Sequence, residues 1–451
     1  MNEARRGLLL DAASRAADYL DGLEGRDAAP DKAALEGLEA LGGPLPETGT
    51  APDAVLEELD RVASPATMAS AGGRYFGFVI GGSLPAALAA NMLASAWDQN
   101  AGLNITSPAA AKLEDVAEAW LKELLQLPGS TAVGFVSGAT TANLCALLAA
   151  RHSLLAREGW DVARQGLYGA PPINVIVGDE VHVSIQKALS VLGLGRDRVT
   201  RVPTDSRGRM RADLIPQVSG PTLVCLQAGN VNTGDFDPVG DICNHLDGSG
   251  AWVHVDAAFG LWARTCPETA ALAAGLEKAD SWSTDAHKWL NVPYDSGLVM
   301  VKQGSLLREA LAGEAAYLVQ AEAREPWQYT PELSRRARGA DVWAALRSLG
   351  SEGIAELVAR NCRQARRFAE GLRNEGFEIL NEVVLNQVLV SFGEPEITRE
   401  VIARIQRDGT CWVAGTEWQG RTALRISVSS WATTDEDVEK SLAAMIRCAR
   451  Q

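Results

Sequence analysis

Between residues 131 and 302, short β-branched runs alternate with helical or glycine-rich stretches, and no other feature restricts the chain as strongly. The runs lie at 173–177, 199–202, 222–226, 252–255 and 297–301. Strands joined through helices pair side by side in parallel, so the pattern predicts a mostly parallel sheet covered by helices. Ligands of such sheets gather at the carboxyl ends of the strands. Polar residues directly after the runs are therefore the candidates for chemistry.

The flanks differ in pattern. Residues 4–24 read as an amphipathic helix with Leu8, Ala12, Ala16, Tyr19 and Leu23 on one face. Residues 25–53 are rich in Gly, Pro and Ala and read as a linker or a loosely packed arm. After Pro331 comes a long helical stretch, 335–374, whose start carries Arg335, Arg336 and Arg338. Strand-like runs at 377–380, 383–392 and 424–428 then mix with helical patterns at 397–408 and 434–449, as in a small α+β domain. The expected organisation is an N-terminal arm at 1–70, a large α/β domain at 71–330 and a small C-terminal domain at 331–451.

Composition removes several functions. Against 57 Asp and Glu stand 42 Lys and Arg, a net charge of −15. Neutralising phosphates takes clustered cations, so no nucleic-acid partner is expected. The apolar run Leu8-Leu9-Leu10 is too short for a signal core or a membrane span, and a cytoplasmic protein is expected. The seven cysteines form no CxxC pair and read as buried reduced thiols. The five histidines show no HExxH or HxH spacing, so no metal site is expected.

Two short segments carry the chemistry. The run at 252–255 delivers Asp256 to the sheet edge, within Trp252-Val253-His254-Val255-Asp256-Ala257-Ala258. Thirty-two residues after Asp256 stands Lys288, within Ser283-Thr284-Asp285-Ala286-His287-Lys288-Trp289. Alone, Asp256 reads equally as a strand-end cap and Lys288 as a surface lysine. In this order they are the pair that pyridoxal phosphate requires: an amine to form the Schiff base, and an acid to keep the ring nitrogen protonated. Asp285 and His287 flank that lysine. A phosphate needs donors, and Ser137-Gly138-Ala139-Thr140-Thr141 at a strand–helix junction supplies hydroxyls and first-turn amides. His182, after the run at 173–177, can stack on a pyridine ring, and Ala258 is small enough to lie beneath one. Thr233, after the run at 222–226, can reach the ring oxygen or a substrate carboxylate.

With these motifs in order, the sequence resembles the group II pyridoxal-dependent amino-acid decarboxylases of fold type I. The resemblance spans about residues 72–350. It rests on Arg74-Tyr75-Phe76-Gly77, Ser107-Pro108-Ala109 leading to Glu114, Ser137 through Asn143, the His182 segment, Gly229 through Pro238, the two segments above with Asn291 through Gly297, and Ser334 through Gly350. It implies a large, mostly parallel sheet of the seven-stranded type covered by helices, and a smaller α+β domain. It also implies a pyridoxal-phosphate carboxy-lyase acting on an L-amino acid, working as a homodimer with shared sites. By position, Lys288 resembles the Schiff-base lysine, Asp256 the pyridinium partner, and His182 the stacking histidine, which also serves near the substrate carboxylate. Ala139, Thr140 and His287 resemble phosphate ligands. Ser296 and Gly297 resemble residues that reach the phosphate across a dimer interface. Arg425 resembles an arginine near the substrate carboxylate. Tyr75 and Trp97 are further candidates for the side-chain pocket.

One interval departs from the family. Many aromatic decarboxylases carry a loop tyrosine that protonates the substrate carbon after carbon dioxide leaves. No tyrosine stands just ahead of Trp327-Gln328; Tyr317 and Tyr329 are the ones available. Decarboxylation to the amine is therefore the leading expectation. Aldehyde synthesis, aldol-type carbon–carbon cleavage and transamination are the alternatives on the same scaffold.

Overall fold

A computed structural model describes residues 2–312 and 324–451. Its larger sheet has seven strands: β1 (Ala132–Val136), β2 (Asn174–Gly178), β3 (Val199–Val202), β4 (Thr222–Gln227), β5 (Trp252–Asp256), β6 (Ser281–Asp285) and β7 (Gly297–Val301). Their order across the sheet is β1-β7-β6-β5-β4-β2-β3. Pairs from β3 to β6 are parallel, and β7 runs antiparallel to both β1 and β6. The expected mostly parallel, seven-stranded sheet is thus present. β1, β5, β6 and β7 are buried along their whole length, as helix-covered strands must be. The helix Ala139–Arg157 packs Cys145, Leu147 and Leu154 into one core with Val175, Leu223, Trp252 and Val299. Burying each such large aliphatic side chain contributes about 1.5–3 kcal/mol.

The second sheet has four strands, β8 (Glu378–Ile379), β9 (Gln387–Ser391), β10 (Ala414–Trp418) and β11 (Arg421–Ser427), in the order β10-β11-β9-β8. β8 pairs antiparallel with β9, and β10 with β11. This is the expected smaller α+β part, with helices Pro395–Asp408 and Asp435–Ala449. Thr434 and Asp437 form a reciprocal capping box at the start of the last helix.

The contacts divide the chain into two compact units. One comprises Gly81–Arg366 and Asn381–Val388; the other comprises Met1–Ile80, Arg367–Leu380 and Leu389–Gln451. In the second unit Tyr75 stacks flat on Trp412, with ring centroids 5.0 Å apart. Among the described residues no helix is long and apolar enough to cross a membrane.

Three local expectations need correction. β6 was not expected as a strand, because only Trp282 in it is strongly apolar. The helical stretch after Pro331 begins at Arg338 and is two helices, broken at Gly350, whose φ of 61° suits glycine. The stretch 25–53 is not wholly linker: Lys32–Gly37 is a short helix whose N-cap Asp31 accepts from Ala34 N.

Candidate active site

Four strand ends converge at one edge of the large sheet. β5 ends on Asp256 and β6 on Asp285, while β1 runs into Ser137 and Gly138. β7 begins there because it is antiparallel: Gly297 pairs with Val136 on one side and Asp285 on the other. A Cβ on Gly297 would overlap the Gly138 backbone, so strand and turn meet at backbone distance. Lys288 follows Asp285 by three residues, and its Nζ lies 3.0 Å from Asp285 Oδ2. The Lys288 carbonyl fills the space that a Cβ on Gly81 would need. Lys288, Asp285, His287, Gly138, Ala139, Ser296 and Gly297 are therefore brought together at this edge.

The strand–helix junction has the features of an anion cradle. The first amides of helix Ala139–Arg157 have no acceptors within the helix. Ala139 N donates to Asp285 Oδ1 at 2.6 Å. Ser137 and Thr141 share a hydroxyl hydrogen bond of 2.9 Å, and Thr140 is exposed on the first turn. His287 Nδ1 accepts from Ser296 N at 3.1 Å, which places the ring proton on Nε2, 3.5 Å from Asp285 Oδ1. Burial lowers the His287 pKa, and the Asp285 charge opposes that shift. Ser296 is fully buried, and its Oγ has no hydrogen-bond partner among the described residues. An orphaned hydroxyl, open amides and an Nε2–H at one helix N-terminus fit a phosphate group. Ser296 and Gly297 adjoin Gly138 and His287 of their own chain.

Asp256 is the second pole. Its Oδ1 accepts from Ala258 N at 3.2 Å, and its Oδ2 accepts from Ser184 Oγ at 3.0 Å and Asn143 Nδ2 at 2.9 Å. His182 is the N-cap of helix Val183–Val191, half-buried, with Nδ1 2.8 Å from Ser184 Oγ. Ser184 thus links His182 to Asp256. The Ala258 carbonyl receives Asp285 N at 2.8 Å, which ties the ends of β5 and β6 together. Asp256 and Asp285 are both nearly inaccessible, at 4% and 3% exposed. Two buried carboxylates at one sheet edge, one with Lys288 and one without it, can serve an amine and a ring nitrogen separately.

The remaining candidates are placed differently. Thr233 is buried, and its hydroxyl donates to the Arg207 carbonyl and accepts from Asp235 N. Tyr75 and Arg425 belong to the other unit. Arg425 is nearly buried, and burial pushes its pKa down to about 10. Trp97 ends helix Pro85–Trp97 and is partly exposed. Tyr317 lies outside the described residues. Tyr329 is held by packing, with the Arg324 guanidinium 4.0 Å from its ring centroid.

Sequence reasoning passed over Ser184 and His254, and over Asn143, Ser283 and Tyr294 inside quoted motifs. Tyr294 stacks on His287 with centroids 4.2 Å apart. A period-two signal for His254 and Ser283 was available: Trp252, His254 and Asp256 share one face of β5, as Ser281, Ser283 and Asp285 share one face of β6.

Residues 41–393 match the family model described as pyridoxal-dependent decarboxylase conserved domain. A tryptophan decarboxylase 1 of Oryza sativa subsp. japonica is 29% identical over 427 residues, covering 85% of this chain and 82% of the relative. An aromatic-L-amino-acid decarboxylase of Rattus norvegicus is 28% identical, covering 92% and 91%. The crystal structure of Oryza sativa TDC with PLP and tryptamine superposes with a TM-score of 0.91 at 25% identity, covering 100% of this chain and 98% of that one.

Proposed function

Because the chain belongs to the pyridoxal-dependent decarboxylase family, and is thus an amino-acid decarboxylase that uses pyridoxal phosphate, we propose that Lys288 carries the cofactor between Asp256 and the Ser137–Thr141 turn. The supporting observation is the convergence of Lys288, Asp285, His287, Gly138 and the orphaned Ser296 hydroxyl at one strand edge. When bound, the cofactor's ring accepts the electron pair left behind as carbon dioxide departs.

The chain's own groups divide the remaining work. The open first-turn amide of Thr140, with His287 Nε2–H and Ser296 Oγ, would hold the phosphate, beside the Ala139 amide that Asp285 engages. Asp256 would pair with the ring nitrogen and hold its proton. Ala258 leaves room for the ring. His182, fixed through Ser184, would orient the substrate carboxylate; such orientation is an effective-concentration effect. Lys288 would hold the cofactor through its amine, which can also serve as a base.

The substrate class we infer is an L-amino acid with an aromatic side chain, supported by relatives named for tryptophan and aromatic L-amino acids. A homodimer is proposed as well. Met92, Leu93 and Trp97 on one helix and nearby-in-sequence Ile105 are large exposed apolar groups, which soluble surfaces usually cover. A cytoplasmic location accords with seven free cysteines.

Incubating the holoenzyme with all twenty amino acids and their β-hydroxy analogues tests the activity. Amine and carbon dioxide in equal amounts from aromatic substrates are expected. Hydrogen peroxide with aldehyde, or carbonyl products without carbon dioxide, would overturn simple decarboxylation. A Lys288→Ala protein should lose the visible absorption of lysine-bound cofactor, and retention of that band would refute the lysine assignment.

A further inference from the structure

Behind Asp256 lies a row of buried polar groups without a role in the steps above. His254 is inaccessible on β5, two residues before Asp256. Its Nε2 is 2.9 Å from Asn143 Oδ1, and its Nδ1 is 2.9 Å from Ser281 Oγ. Ser283 Oγ also lies 2.5 Å from Asn143 Oδ1, and Trp252 Nε1 donates to Ser281 Oγ at 2.9 Å.

The donors and acceptors fix one direction through this row. A carboxylate only accepts, so the Asn143 atom facing Asp256 Oδ2 is its amide nitrogen. The Asn143 oxygen then points the other way and must receive protons from Ser283 and His254. His254 therefore carries its proton on Nε2. Burial pushes the His254 pKa down to about 4, although the Asp256 charge works against that. At neutral pH the ring is uncharged, its Nδ1 is bare, and Ser281 donates to it while accepting from Trp252. Every hydrogen bond from Trp252 to Asp256 thus points towards the carboxylate. Turning the Asn143 amide over would set oxygen against carboxylate and NH2 against two donors.

We propose that His254 is a positioning residue which, with Ser283, locks the Asn143 amide as a donor to Asp256 and so sets how firmly that carboxylate holds the proton on the cofactor's ring nitrogen. The proposal rests on the assignment of Asp256 as the ring-nitrogen partner. Removing a donor from the row makes Asp256 a stronger base, and the shared proton moves from the ring towards the carboxylate.

The test uses holoenzyme reconstituted with cofactor labelled with nitrogen-15 in the ring, read by nuclear magnetic resonance. His254→Leu should move the ring-nitrogen resonance towards that of an unprotonated pyridine. His254→Gln, which returns an amide donor at the same position, should move it most of the way back. Ser283→Ala should shift it in the same direction by a smaller amount. The proposal is overturned if His254→Leu folds and the resonance stays in place, or, should that protein not fold, if Ser283→Ala leaves it unmoved. Asp256→Asn separates the premise: an unchanged resonance there would remove Asp256 from the ring nitrogen and overturn both claims, whereas a shift there with none in the His254 and Ser283 variants would overturn this proposal alone.

Discussion

A methyl group added at Gly81 has nowhere to go. The carbonyl oxygen of Lys288 occupies the position of the new Cβ, and the His287 carbonyl oxygen lies 3.1 Å from it. Both are main-chain atoms in the turn that carries Lys288, so no side-chain rotation relieves the overlap. Gly81→Ala should push that turn back by roughly 1 Å, a displacement that can lower turnover by about 100-fold when it moves a reacting group. The overpacking itself costs about 1–3 kcal/mol of stability. Gly297→Ala meets the Gly138 backbone instead, at the turn proposed to hold the phosphate, so its penalty should fall on cofactor binding. An overlap costing about 1–3 kcal/mol in the bound state weakens affinity by about 5- to 150-fold. The assay is kcat at saturating cofactor together with cofactor Kd from fluorescence titration. Gly81→Ala should lower mainly kcat and Gly297→Ala should raise mainly Kd. Gly129→Ala, whose Cβ meets nothing within 4 Å, should change neither. Wild-type kcat and Kd in Gly81→Ala would refute the close approach.

Three other outcomes are expected. Glu114 and Arg335 form a buried pair, 2.7 Å apart and 1% and 0% exposed, so Glu114→Ala should cost about 3–5 kcal/mol, seen as a lower unfolding midpoint in urea; replacing both by leucine should recover much of that loss, and an additive double mutant would refute the coupling. His254 is held neutral, its folded pKa of about 4 lying below 6.5, so protons favour the unfolded chain: its contribution is complete above pH 6.5 and is lost as pH falls towards 4, by about 3 kcal/mol in all. The difference in unfolding free energy between wild type and His254→Gln should shrink over that window, and a difference independent of pH would rule this out. Tyr294→Phe should keep the stack on His287 and the cofactor Kd, while Tyr294→Leu should lose about 0.5–1.5 kcal/mol of ring contact and weaken cofactor binding several-fold; equal Kd values in the two variants would remove Tyr294 from the site.

Local chemistry made much of this chain legible. β2, β4, β5 and β7 announce themselves by β-branched runs, and the residues that follow them include Asp256 and the approach to His182. β6 stayed hidden because its buried face carries Ser281, Ser283 and Asp285, whose partners lie on β5, at Asn143 and at Ala139. A polar strand reads as a loop until the groups that satisfy it are known. Arg335 likewise read as part of a basic helix start, whereas it is buried against Glu114 and the Ala101 and Phe135 carbonyls, at least 200 residues away for all three. Pairings over such distances leave no local pattern. Tyr294 lay within a quoted motif, but its contact with His287 depends on the course of the intervening turn.

The polar face of β6 also bears on how the sheet assembles. β6 is buried on both faces, so hydrophobicity barely distinguishes one alignment against β5 from the next. The native alignment sets His254 beside Ser281 and Asp256 beside Ser283. Sliding β6 by one residue would turn Trp282 and Thr284 towards Asn143 and strand the His254, Asn143 and Asp256 polar groups in a dry interior. Each stranded group costs about 1–3 kcal/mol, more where it is charged. The row that orders Asp256 therefore also rejects misaligned sheets, and a nascent chain can bury β6 stably only with Asp256 and Asp285 already in register.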